Sequence, residues 1–159
     1  MAADAHDPIH VPAETYVTRS VPVVNYLVLN GGAPHLVAQE CASCGARYLA
    51  NRPACAHCGK REFSPRRLPT TGEVGSFTII HRAAPGVPTP YVSALVDLDD
   101  GTTVKSNVVG CPADDNAVRL HMRVRLTTFI AGTDDDGTSA IAFGFEPDEA
   151  ASTRELTEK

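Results

Sequence analysis

Tryptophan is absent from these 159 residues, methionine occurs twice, and aromatic residues make up 6% of the chain. Such sparse ring surface weighs against a base-stacking platform. Basic charge is also short: 14 Lys+Arg stand against 19 Asp+Glu, a net −5, which disfavours a general polyanion binder. No apolar run approaches the roughly 20 residues that span a bilayer. No charged-then-apolar leader is apparent either, so the expectation is a soluble, cytoplasmic protein without membrane contact. Neither a Ser/His/Asp constellation nor a nucleophile elbow is recognisable, and no acidic loop has EF-hand spacing. Twelve glycines and twelve prolines predict short strands and turns rather than long helices.

What is present begins with cysteine. The chain reads Cys41-Ala-Ser-Cys44-Gly45 and, ten residues further on, Cys55-Ala-His57-Cys58-Gly59. Two Cys-x-x-Cys pairs bring four thiolates to one point, the ligand set Zn²⁺ takes at a closed structural site. A glycine after each pair accepts the positive φ that a tight knuckle needs. An iron centre, a redox pair and disulfides are the alternatives. A redox Cys-x-x-Cys is normally single, and disulfides would leave the fifth cysteine, Cys111, unpaired. The metal candidates are therefore Cys41, Cys44, Cys55 and Cys58, with Zn²⁺ as a structural cofactor. His57 is expected to face solvent or to support the ligands from outside.

Arg47, Arg52, Lys60 and Arg61 lie close to this centre in sequence, and two readings of them stand. They offset the formal charge of about −2 on a four-thiolate zinc, or they clamp phosphate.

Along the chain, residues 1–22 read as a flexible arm with three prolines. Residues 23–29, Val-Val-Asn-Tyr-Leu-Val-Leu, form a strand or a partner-facing segment. A linker is expected over 63–71. Strands are expected at 72–81, 91–98, 102–109, 123–130 and 139–145, with Asp99-Asp100-Gly101 and Asp134-Asp135-Asp136-Gly137 as solvated turns. Five short strands suit an OB-type barrel, so the fold class is mainly β. The domains are an N-terminal arm over 1–35, a rubredoxin-like zinc ribbon over 36–68, an OB-fold domain over 69–148 and a disordered tail over 149–159. The arm's apolar residues Val23, Val24, Tyr26, Leu27, Val28 and Leu29 either dock a partner or add a strand to the chain's own barrel or ribbon.

In order across both modules, Arg52-Pro-Ala-Cys55-Ala-His57-Cys58-Gly59, Gly72-Glu-Val-Gly-Ser-Phe-Thr-Ile-Ile-His81, Pro90-Tyr-Val-Ser-Ala-Leu-Val-Asp-Leu-Asp99 and Ser106-Asn-Val-Val-Gly-Cys111 carry a likeness. The chain resembles the zinc-ribbon plus OB-fold, acyl-CoA-associated proteins, formerly a domain of unknown function. The likeness covers about residues 36–130. It departs upstream, where Pro22, Gly31-Gly32 and Pro34 replace the helices usual in relatives. The resemblance implies a non-catalytic accessory subunit in a hetero-oligomer with a thiolase-fold acyltransferase, or with an enoyl-CoA hydratase. Acyl-CoA would then be met by Arg47, Arg52, Lys60, Arg61, Arg66 and Arg67.

Two readings compete with this one. Cys111 would be a nucleophile if His81 or His121 activated it, although burial as a small hydrophobe is the commoner fate of a free cysteine. An OB barrel also serves single-stranded nucleic acid, for which Tyr91, Phe77, Phe129 and Phe143 with Arg82, Lys105 and Arg125 are the candidates. The acidic balance and the need to fill a core with those rings weigh against it.

Overall fold

The computed structural model describes residues 19–30 and 32–148. The expectations for residues 1–18 and for a tail over 149–159 fall outside the described residues. Ten strands and no helix are found within them: β1 (Ser20–Pro22), β2 (Leu27–Val28), β3 (His35–Cys41), β4 (Arg47–Tyr48), β5 (Phe63–Arg67), β6 (Thr71–Ile80), β7 (Tyr91–Leu98), β8 (Thr103–Val108), β9 (Arg123–Thr133) and β10 (Ser139–Pro147).

Period-two patterning makes the barrel. On β7 the alternate residues Val92, Ala94, Val96 and Leu98 are all buried, and Val104 and Val108 do the same on β8. The two strands join through a turn in which the Leu98 amide donates to the Thr102 carbonyl at 2.9 Å and Gly101 takes φ 81°. Strands run in the order β10-β8-β7-β6-β9, and β9 pairs back onto β10 to close the ring. The β8–β10 contact is parallel and made at Phe145↔Val108, whereas the other barrel pairings are antiparallel. This is the connectivity of a five-stranded OB barrel. Val118 and Met122, from the connection after β8, enter the same core.

The ribbon is built on β3, which pairs antiparallel with β2, β4 and β5. It does not stand apart. Leu27, Leu36, Ala38 and Leu68 belong to one apolar cluster with the barrel residues Val74, Val96 and Phe145.

Three expectations change. Residues 63–67 are a strand rather than linker: β5 pairs with β3 from Cys41↔Phe63 to Val37↔Arg67. Pro65 is tolerated because β5 is an edge and its outer side needs no amide. Residues 20–22, read as flexible arm, form β1, and of the two readings of the 23–29 run the added strand is the one observed. β1 lies parallel on β10, the Val23 amide donates to the Ile141 carbonyl at 2.8 Å, and β2 pairs with β3. Leu27 is 2% exposed and Tyr26 meets Phe143 edge-on at 6.0 Å, so the apolar run covers the chain's own ribbon and barrel. Finally, β9 runs on to Thr133 past its expected end at 130, with Thr127 and Thr128 both buried and Ile130 40% exposed. After Arg125 it leaves its β6 partner and continues with β10 alone, past a register shift at Ala140/Ile141.

Candidate metal centre

The two knuckles are built alike. The Gly45 amide donates to the Cys41 carbonyl at 2.9 Å and the Gly59 amide to the Cys55 carbonyl at 2.8 Å. The Cys41 amide reaches the Ala46 carbonyl at 2.9 Å, and the Cys55 amide reaches the Lys60 carbonyl at 2.7 Å. Gly45 at φ 72° and Gly59 at φ 74° make each reversal, in the left-handed region that an L side chain resists. The first cysteine of each pair is buried and the second is exposed, so the centre lies at the surface with its back to the ribbon.

All four sulfur atoms lie within 4.8 Å of one another, with Cys41–Cys58 and Cys44–Cys55 each at 3.6 Å. A tetrahedron with metal–sulfur bonds of about 2.3 Å has edges of about 3.8 Å, so the cluster fits a four-thiolate zinc. The same geometry leaves no fourth position for water or substrate. A metal held by these four sulfurs would be structural.

Sequence alone does not show how the thiols are tuned. The Tyr48 hydroxyl, 3.3 Å from Cys55 Sγ, is the main reason that this thiol is lowered to about 6. Cys44 is favoured as thiolate by the Ala46 amide, yet desolvation and the thiols of Cys58, Cys55 and Cys41 push it up to about 12. Four thiolates this close repel, and a divalent cation removes the conflict because a coordinating thiol is deprotonated outright. Tyr48 is positioned by β4 and by an edge-on contact with Phe63 at 6.1 Å.

The six cations separate into two groups. Arg47 is engaged: Nε donates to Glu40 at 2.6 Å, and one terminal nitrogen donates to Asp100 Oδ2 at 2.9 Å, the Asp100 carbonyl at 3.2 Å and Thr102 Oγ1 at 3.2 Å. Arg52 lies over the Tyr48 ring, 4.5 Å from its centroid. Lys60, Arg61, Arg66 and Arg67 are exposed, and their side chains have no ion pair with any described residue. Nothing local in the sequence marks Asp100 and Thr102 as partners of a residue more than 50 positions upstream.

Of the remaining candidates, His57 is exposed. Cys111 is half-buried, and burial first, then Asp114, raises its thiol pKa, which is opposite to activation. His121 reaches Glu73 at 3.3 Å. Phe77 and Phe143 pack against the core, and Arg125 pairs with Glu146 at 2.8 Å. A shallow groove of about 230 Å³ runs between residues 23–26, β8 and β10, lined by Val23, Tyr26, Lys105, Asn107 and Phe143 among others.

A closed four-cysteine ribbon sharing its core with an OB barrel defines a class of two-module β-proteins. This chain belongs to the ChsH2 family: residues 31–64 match its rubredoxin-like zinc ribbon domain and residues 65–129 its C-terminal OB-fold domain. A solved structure described as an Ltp2-ChsH2(DUF35) aldolase is 32% identical with a TM-score of 0.57, covering 71% of this chain and 84% of that one. The benzoylsuccinyl-CoA thiolase subunit BbsA of Geobacter metallireducens is 29% identical over 117 residues, 74% of this chain and 77% of that protein. A probable enoyl-CoA hydratase alpha subunit of Thermomonospora curvata is 38% identical over 80 residues, half of this chain but only 25% of that longer protein. No helix among the described residues is long and apolar enough to cross a membrane.

Proposed function

We propose that this chain is a non-catalytic, zinc-stabilised accessory subunit of an acyl-CoA-handling enzyme, with a thiolase-type acyltransferase as its partner. The observation that carries the reading is the closed four-thiolate centre in a chain whose likeness to a thiolase subunit runs through both modules. A metal with no open position offers structure rather than Lewis-acid chemistry. Cys111, its thiol raised by burial, is a poor nucleophile. The nucleophile is then the partner's. CoA contacts on this chain fall to Lys60, Arg61, Arg66 and Arg67, whose charges are free to meet phosphate, while Arg47 and Arg52 are held by other groups.

The hydratase reading is kept because the 80-residue match to a hydratase alpha subunit has the higher identity. Co-expression with a thiolase-fold subunit and, separately, with a hydratase subunit from the same organism decides between them. Co-elution with the thiolase and not the hydratase is the expected result. Co-elution with the hydratase alone reverses the assignment, and co-elution with neither removes the accessory role.

A further inference from the structure

Metal ligation and the ribbon–barrel junction meet in β4, a strand of two residues with opposite tasks. Tyr48 turns to the metal centre, its hydroxyl on Cys55 Sγ. Arg47 turns to the barrel and closes on the turn between β7 and β8. β4 itself has little to hold it: two register pairs to β3, Gln39↔Tyr48 and Glu40↔Arg47, in a segment whose ends are fixed by Cys44 and Cys55. On the barrel side, Asp100 is the shared link. Its Oδ1 accepts from the Thr102 amide at 3.0 Å, which shapes the turn, while its Oδ2 accepts from Arg47 at 2.9 Å. Arg47 and Asp100 are both mostly shielded, with side-chain exposures of 23% and 18%, where charged hydrogen bonds are directional and weakly screened.

We propose that Arg47 is a clamp that passes the metal state of the ribbon to the β7–β8 turn of the barrel. With the four thiolates drawn onto a cation, Cys44 and Cys55 fix both ends of the segment carrying β4, Tyr48 keeps its sulfur partner, and Arg47 is delivered to Asp100. Without the cation nothing ties the four sulfurs to one point, β4 loses its anchors, and the turn loses the guanidinium that ties Asp100 and Thr102 to the ribbon. The inference rests on the zinc assignment and is independent of which enzyme the chain accompanies.

Amide hydrogen exchange on the full chain tests it, read at the turn amides of Leu98, Gly101 and Thr102, with Phe143 and Phe145 on β10 as internal controls. In the native protein, chelating the metal is expected to speed exchange at the turn by about tenfold or more while the β10 amides change far less, the signature of local opening. Arg47→Met, measured with zinc bound, is expected to show the fast turn already and to gain nothing further on chelation. Arg66→Met, on an exposed position of β5, should behave as the native chain. Should Arg47→Met fail to hold zinc, Asp100→Asn takes the charge out of the clamp from the barrel side, while its amide oxygen can still accept from the Thr102 amide and no ligand is changed. The proposal is overturned if chelation leaves the turn unchanged, if it speeds turn and β10 equally, or if the zinc-loaded clamp variant still responds to chelation in full. A purified chain with zinc in no measurable amount would remove the metal assignment itself.

Discussion

At the scale of single residues, the centre depends on four sulfurs and two glycines. Zinc ribbons of this size draw their folding free energy from the metal, so Cys58→Ser, which leaves three ligands, is expected to drop zinc content from one per chain to near zero. Elemental analysis reads this directly, and a variant that keeps a full zinc equivalent contradicts the ligand set. The ligands were legible in the sequence because Cys-x-x-Cys-Gly is local information. Arg47 was legible only as a cation near the metal, since its function is fixed by Asp100 and Thr102 on the far side of the fold. A second residue-scale expectation concerns Asp99. Arg123 donates to its carboxylate at 2.8 Å and, with the Thr71 hydroxyl, lowers its pKa. A carboxylate depressed in the folded state stabilises above its unfolded pKa, about 3.9, and that stability is lost as pH falls through the lower folded value. The site is exposed, so the contribution is small. In an NMR titration Asp99 should stay charged to lower pH in the native chain than in Arg123→Met; coincident midpoints would show that the pair has no such effect.

Elements were legible where both faces of the strand announce themselves. The β7 run Tyr-Val-Ser-Ala-Leu-Val-Asp-Leu alternates cleanly and occupies the residues the sequence predicts. β5 was hidden because Pro65 and the Arg66-Arg67 pair carry the marks of a linker, and all but Phe63 of its five residues are exposed. Only its pairing with β3 makes it a strand. β1 was read as part of a flexible arm because Ser20–Pro22 carries no period, and β2 was ambiguous for another reason: a short apolar run has no period long enough to say whether it covers its own chain or a partner's. Burial decides the matter for Leu27. Leu27→Ala should destabilise the protein by about 2–4 kcal/mol, the usual range for a large-to-small change in a packed core. Denaturant unfolding of zinc-loaded protein measures it. A change below about 0.5 kcal/mol, the scale of a surface substitution, would mean that the segment is not part of the core. Deleting residues 1–30 to test the docking reading would also take Leu27 from the core and β1 from β10, so a lost partner and a loosened fold would coincide. Point substitutions at the exposed Val21 and Val23 separate the two effects.

Taken whole, the molecule is a ribbon and a barrel that share one apolar cluster and one polar clamp. On the clamp proposal, metal removal is expected to be felt beyond the ribbon, although the barrel has strands and a core of its own. That architecture presents a two-module surface built over one shared core. On it, Lys60, Arg61, Arg66 and Arg67 are exposed, on a chain of net charge −5. It brings no open metal position, and its spare thiol is raised by burial, which is why the chemistry is assigned to a partner. The most direct measurement is thiolysis of an acyl-CoA by a reconstituted complex of the zinc-loaded chain with its thiolase-fold partner, comparing native protein with Cys111→Ala and with each component alone. The account predicts that the chain alone is silent, that the two co-elute as an active complex, and that Cys111→Ala leaves the rate within about twofold, well under 1 kcal/mol of barrier. Turnover by the isolated chain, or a loss of several orders of magnitude in Cys111→Ala with the complex intact, would make this protein the enzyme and contradict the account.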